Sequence, residues 1–100
     1  MERIAFHLRI EDGKRGAYRD EHAAVPDALE SAYLESDAGV ETYSVFEKDG
    51  HVFGYMEVEN TEAIRDIMAE SDAQADWDAV MEPILADDDE SWLDEVYRMI

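Results

Sequence analysis

Val40-Glu-Thr-Tyr-Ser-Val-Phe-Glu-Lys-Asp-Gly50-His-Val-Phe-Gly-Tyr-Met-Glu-Val-Glu59 reads as two strands around a turn. Val40 to Glu47 and His51 to Glu59 alternate in polarity and are rich in aromatic and β-branched residues, while Lys48-Asp-Gly50 is a hairpin signal. In a tight two-residue register Tyr43 and Val45 share a face with Val52, Gly54, Met56 and Val58. Phe46 shares the other face with Phe53 and Tyr55. Bulk on both faces predicts a sheet covered on both sides.

Working outward from this hairpin, Arg3 to Ile10 alternates as a further strand, with Ile4, Phe6, Leu8 and Ile10 on one face. Glu11-Asp-Gly13 turns the chain, and a helix is expected from about Lys14 through Leu34. Pro26 lacks an N–H and crowds the preceding turn, so a kink or break is expected near Ala24–Val25. Beyond the hairpin, Asn60-Thr61 can cap a helix from Glu62 to about Glu70, with Ile64, Ile67 and Met68 inward. Ser71-Asp72 can cap another, with Trp77, Val80, Met81 and Ile84 inward, which Pro83 ends or bends. Ala86-Asp-Asp-Asp-Glu90 reads as a solvated loop, and Ser91 to Met99 as a final strand through Trp92, Leu93, Val96 and Tyr97. The order β-α-β-β-α-β, with the second helical region split, is the ferredoxin-like pattern of an α+β fold: helices over one face of one four-stranded antiparallel sheet. One hundred residues suit a single domain, residues 1–100, and leave nothing to cover the other face. A second copy could cover it, which predicts a homodimer.

The charge is extreme: 27 acidic against 8 basic residues, net −19 at pH 7. The acids are spread along the chain, and the 46% apolar content is periodic, which argues against a disordered acidic chain. Adaptation to a salt-rich cytoplasm is the favoured reading, because a short Debye length removes most of the self-repulsion. A nucleic-acid mimic is the alternative, while direct binding to DNA or RNA is opposed electrostatically. The absence of cysteine excludes disulfides and thiolate chemistry. No apolar run approaches the roughly 20 residues that span a bilayer, and the N-terminus does not read as a signal peptide. A cytoplasmic protein without membrane contact is expected.

Tyr18-Arg-Asp-Glu-His22-Ala-Ala-Val-Pro26 carries the chemistry. Tyr18 and His22 stand at i and i+4, on one helical face that Val25 and Leu29 continue, so a phenol and an imidazole point inward together. Such a pair suits proton transfer. The ordinary alternative is a buried histidine satisfied by a backbone carbonyl beside a packed tyrosine. His7 and His51 have no metal-ligand spacing with His22. Asp87-Asp-Asp-Glu90 lacks the glycine and spacing of a Ca²⁺ loop, so no metal is expected.

Ile4-Ala-Phe6, Tyr18-x-x-x-His22-x-x-x-Pro26, Gly39-Val-Glu-Thr-Tyr43-Ser-Val-Phe46, Phe53-Gly-Tyr-Met-Glu57-Val-Glu59, Trp77 and Leu93-Asp-Glu95-Val-Tyr97 form an ordered set over essentially the whole chain. In this the sequence resembles the L-rhamnose mutarotase family. The resemblance implies a dimeric α+β-barrel enzyme, without a cofactor, that interconverts the α and β anomers of L-rhamnose or a similar 6-deoxysugar. It implies His22 as the catalytic proton donor, with Tyr18, Tyr43 and a tryptophan pair contacting the monosaccharide. Here the pair is Asp76-Trp77, so a carboxylate replaces one aromatic wall. Asp76 could hydrogen-bond a sugar hydroxyl or belong to the acidic surface. Mutarotation needs one group to take the anomeric proton and another to protonate the ring oxygen, and a neutral histidine suits either role. The alternatives are another dimeric-barrel enzyme of monooxygenase or haem-degrading type, using His22 as an iron ligand, and a non-catalytic sugar-binding module.

Overall fold

The hairpin turns through Asp49 and Gly50, whose φ values of 54° and 83° are both positive, the combination of a type I′ turn. From it, β2 (Val40–Lys48) and β3 (His51–Val58) pair antiparallel, with Lys48 opposite His51, Phe46 opposite Phe53 and Tyr43 opposite Met56. This is the register that the alternation predicts. A bulge between Val40 and Thr42 closes the ladder. β1 (Glu2–Arg9) pairs antiparallel with the far side of β3, and β4 (Ser91–Leu93) pairs with β1. The sheet order is therefore β2-β3-β1-β4, the ferredoxin-like arrangement. The computed structural model describes residues 1–86 and 91–99, so the acidic stretch Asp87–Glu90 lies outside the described residues.

Among the described residues four helices complete the order: α1 (Arg15–His22), α2 (Asp27–Leu34), α3 (Thr61–Glu70) and α4 (Asp72–Met81). The long helix expected from Lys14 to Leu34 is two, because Pro26 adopts an extended ψ of 136° and starts α2. Asn60 caps α3, its side-chain oxygen accepting from the N–H groups of Glu62 and Ala63 at 3.0 and 3.3 Å. Ser71 ends α3 in an extended conformation, and its hydroxyl accepts from Gln74 N–H to start α4.

The helices cover the sheet face that carries Phe6, Val52, Met56 and Val58. Two clusters of buried residues form there. One joins Phe6, Leu29, Tyr33, Ala38, Met56, Val58 and Ile64; the other joins Ile10, Tyr18, Val52, Met81 and Ile84. Leu8 and Trp77 are partly buried against both.

Gly54 fixes the middle of the sheet. It stands opposite Phe6 in the β1–β3 register, and the Phe6 ring lies over it so closely that a Cβ there would come within 2.1 Å of Cε2 and Cζ. The ring is held from two more sides by edge contacts with Tyr43 and Trp92, at centroid distances of 6.4 and 5.6 Å.

Two expectations are corrected. Strand β4 spans Ser91–Leu93 instead of running to Met99, and Val96 is 94% exposed. An edge strand is bonded on one side only, and Val96, Tyr97 and Met99 bury too little apolar surface to help offset the cost of ordering. Beyond Leu93 the chain still meets β1 through the Arg3–Glu95 ion pair. Val80 faces outward, because the stripe of α4 that lines the cavity runs through Gln74, Trp77, Asp78 and Met81, at spacings of i, i+3, i+4 and i+7, with Met81 buried and Asp78 exposed. The uncovered sheet face is apolar only in its middle, at Ala5, Phe46, Phe53, Tyr55 and Leu93. Its rim carries Arg3, Arg9, Lys48, His7 and His51, with His7 Nε2 and His51 Nδ1 sharing a 3.0 Å hydrogen bond.

Candidate active site

A cavity of about 630 Å³ opens between the helices and the covered sheet face, where the two core clusters meet. That volume lies within the roughly 300–1,000 Å³ typical of small-molecule sites. Phe6 and Leu8 of β1, Tyr43 and Val45 of β2 and Trp92 of β4 are on its sheet side, and α1, α2 and α4 supply most of the opposite wall.

From α1 come Tyr18 and His22. Their rings stack at a centroid distance of 4.1 Å and an interplanar angle of 29°. Trp77 of α4 also meets the imidazole, in an edge contact at 5.0 Å and 82°. His22 Nδ1 lies 2.8 Å from the carbonyl oxygen of Tyr18. A carbonyl can only accept, so Nδ1 carries the proton and donates it, which leaves Nε2 as the basic nitrogen of the neutral ring. Tyr18 is buried, and burial, with Tyr43 and Glu47 nearby, pushes its hydroxyl above the ordinary phenol value. It therefore stays a neutral hydroxyl.

The position of α1 is set by Glu47 at the end of β2. Arg15 Nε donates to Glu47 Oε2 at 2.9 Å, and Arg19 donates through Nε and Nη2 to Oε1 at 2.8 and 2.6 Å. The backbone N–H of Gly50 adds a bond to Oε2 at 2.9 Å. The Glu47 side chain is only 6% exposed. The Gly50 amide first, then the two guanidinium groups, lower its carboxyl from the ordinary value to about 2. The Glu47 carboxylate thus ties the helix bearing Tyr18 and His22 to the turn of the hairpin.

On the opposite wall, the Tyr33 hydroxyl donates to Gln74 Oε1, and Gln74 Nε2 donates to Asp78 Oδ1 at 2.7 Å. Burial pushes the Tyr33 hydroxyl up, with Tyr43 and Asp78 adding to the shift, so it remains a donor. Tyr33 and Tyr43 meet edge to face at 5.7 Å.

Of the residues singled out from the sequence, Tyr18, His22, Tyr43 and Trp77 all line this cavity. Asp76 does not: it is absent from the lining, whereas Asp78, equally exposed, is part of it. One residue rotates the direction by about 100° on a helix, so Asp76 and Asp78 cannot both follow Trp77 inward. Tyr33, Gln74, Asp78, Phe6 and Trp92 were missed as site residues. The i, i+3, i+4 spacing of Gln74, Trp77 and Asp78 was the available signal for the α4 wall.

Fold and cavity together define a ferredoxin-like α+β domain whose aromatic pocket holds an oriented histidine. The family model for L-rhamnose mutarotase matches residues 3–99, and the chain belongs to that family. It is 34% identical over 88 residues to the L-rhamnose mutarotase of Burkholderia ambifaria, covering 86% of this chain and 82% of the relative. It is 33% identical over 87 residues to that of Listeria monocytogenes, covering 85% and 81%. The crystal structure of L-rhamnose mutarotase from Formosa agariphila superposes with a TM-score of 0.81 at 24% identity, covering the whole of both chains. A Nitrosomonas europaea protein assigned as an antibiotic biosynthesis monooxygenase superposes with a TM-score of 0.68 at 11% identity, covering 97% of this chain and 100% of that one. At these two identities the likeness is one of fold alone.

Proposed function

We propose that this protein interconverts the α and β anomers of L-rhamnose or a closely similar 6-deoxysugar, with His22 moving the proton and Tyr18, Tyr43 and Trp77 contacting the sugar. Membership of the L-rhamnose mutarotase family supports the reaction. The observation that carries the site is the bond from His22 Nδ1 to the Tyr18 carbonyl inside an aromatic cavity.

The chemistry follows from that tautomer. Nε2 takes the proton of the anomeric hydroxyl as the bond between the anomeric carbon and the ring oxygen breaks. The electron pair goes to the ring oxygen, which takes a proton from a second donor. The open aldehyde turns about its first carbon–carbon bond and closes on the other face by the reverse steps. While the imidazolium exists, its Nδ1–H bond to the Tyr18 carbonyl is charge-assisted, which stabilises the charged form. The aromatic walls suit the apolar C–H face of a sugar, and hydroxyl and ring-nitrogen tips suit its polar edge. No step requires a cofactor.

The working form in this reading is a homodimer joined through the uncovered sheet faces. Two observations support it. Phe46, Phe53 and Leu93 are exposed there, and the face carries Arg3, Arg9 and Lys48 against Glu57 and Glu95, the latter paired with Arg3, in a chain of net charge −19. Acids are concentrated elsewhere, so two copies meet without the repulsion that the rest of the surface would impose. The reading extends to a salt-rich cytoplasm as the working compartment, supported by the same acid excess. No helix among the described residues is long and apolar enough to cross a membrane.

NMR saturation transfer between the anomeric protons of L-rhamnose, in molar salt with and without protein, tests the activity. Transfer that appears only with folded protein is the expected result. Its absence for L-rhamnose, L-fucose and L-lyxose alike would refute the proposal.

A further inference from the structure

The polar chain on the cavity wall runs in one direction. Neutral Tyr33 can donate, and does so to Gln74 Oε1; the amide must then present Nε2, which donates to Asp78 Oδ1. The chain ends on a carboxylate, a group that only accepts. Its first oxygen is occupied from within the protein, and its second has acceptor capacity that a ligand hydroxyl can fill. Gln74 and Asp78 project from the same face of α4 as Trp77, which contacts His22. Glu30 and Glu41 also reach the lining, but among the described residues neither side chain is tethered in this way.

We infer that Asp78, positioned by Tyr33 and Gln74, is a specificity-determining contact that accepts a hydrogen bond from a sugar hydroxyl away from the anomeric centre. The inference rests on the sugar-mutarotase reading and adds a substrate contact that the sequence had assigned to Asp76. It fits the inventory of the pocket: Tyr18 contributes a neutral hydroxyl and His22 a basic nitrogen, while Asp78 adds a fixed anionic acceptor that selects for hydroxyl donors. A charged acceptor left facing a sugar without that hydroxyl loses a bond of the stronger, charge-assisted kind.

Anomer exchange by Asp78→Ala and Asp78→Asn is compared with wild type on L-rhamnose and on its 2-deoxy, 3-deoxy and 4-deoxy analogues. Asp78→Ala is expected to raise KM for L-rhamnose about tenfold, with kcat changed little. Asp78→Asn, which keeps an acceptor, recovers part of that loss. For one deoxy analogue the wild type already has the raised KM, and Asp78→Ala adds nothing further. Gln74→Leu shifts KM in the same direction by less. A merely structural role would instead lower thermal stability and affect all the sugars equally, and that outcome overturns the inference. So does an unchanged KM for every sugar with active wild type, which leaves the mutarotase reading standing. If the wild type exchanges no sugar, saturation-transfer-difference NMR of L-rhamnose binding decides. Binding weakened by Asp78→Ala upholds the contact without the reaction, and binding unaffected or absent overturns it.

Discussion

His22 donates through Nδ1 to the carbonyl oxygen of Tyr18, one helical turn earlier and 2.8 Å away, while the two rings stack. The backbone contact that would satisfy an inert core histidine also fixes which nitrogen carries the proton, and that is the tautomer the proposed acid–base role of His22 needs. In the proposed mechanism, replacing His22 by Ala removes the base, together with its ring contacts to Tyr18 and Trp77. Anomer exchange should fall by about 10²–10⁴-fold, the usual worth of a positioned acid–base group, in a protein that still unfolds cooperatively. Exchange near the wild-type rate in a folded His22→Ala sample would remove His22 from the mechanism.

Glu47 gives the fold a defined acid sensitivity. Its carboxyl is lowered from 4.5 to about 2 by the Gly50 amide, Arg15 and Arg19. A carboxyl lowered in the folded state contributes stability that is fully present above its unfolded value and is lost as pH falls through the folded one. The difference in denaturation midpoint between wild type and Glu47→Gln should therefore be largest above about pH 4.5 and close toward about pH 2. Comparing the two proteins cancels the general relief of repulsion that acid brings to so acidic a chain. A difference that does not change between pH 7 and pH 3 would mean that the cluster contributes nothing specific.

The register of the hairpin, the break at Pro26 and the caps at Asn60 and Ser71 were legible because each is decided locally, by alternation, by a missing N–H or by a capping side chain. Tyr18 and His22 were legible as a pair for the same reason, one turn of one helix. What was not legible depends on contacts between distant segments. Whether Asp76 or Asp78 enters the cavity is decided by the rotation of α4 about its axis, which packing against both core clusters sets through Trp77. The end of β4 at Leu93 is likewise decided by how much burial a sheet edge receives, and the apolar pattern through Val96 and Tyr97 carries no such information.

Gly54 and Phe6 make the sheet–cavity junction testable. A Cβ at position 54 would sit 2.1 Å from the Phe6 ring, which Tyr43 and Trp92 hold from other sides. Gly54→Ala should destabilise the fold by about 1–3 kcal/mol, as overpacking does, and should also disturb the aromatic lining. Denaturant unfolding checks the first effect. Combining Gly54→Ala with Phe6→Leu should cost less than the sum of the two changes, because the clash disappears with the ring. Strict additivity would show that Phe6 is free to move aside.

The uncovered sheet face carries the last prediction. Phe46 and Phe53 stand opposite each other there, exposed, while the chain as a whole bears a net charge of −19. Two such chains repel across a Debye length of about 10 Å at 0.1 M salt and about 3 Å at 1 M. Sedimentation should therefore find a dimer at molar salt that shifts toward monomer in dilute buffer. Phe53→Glu adds an acid to a face that carries Arg3, Arg9 and Lys48 and should give monomer at both salts, without touching any residue of the cavity. A wild-type monomer at molar salt would refute the homodimer. A dimer of equal strength in wild type and Phe53→Glu would move the interface to another surface, because a charge placed at the centre of a desolvated contact cannot be neutral to it.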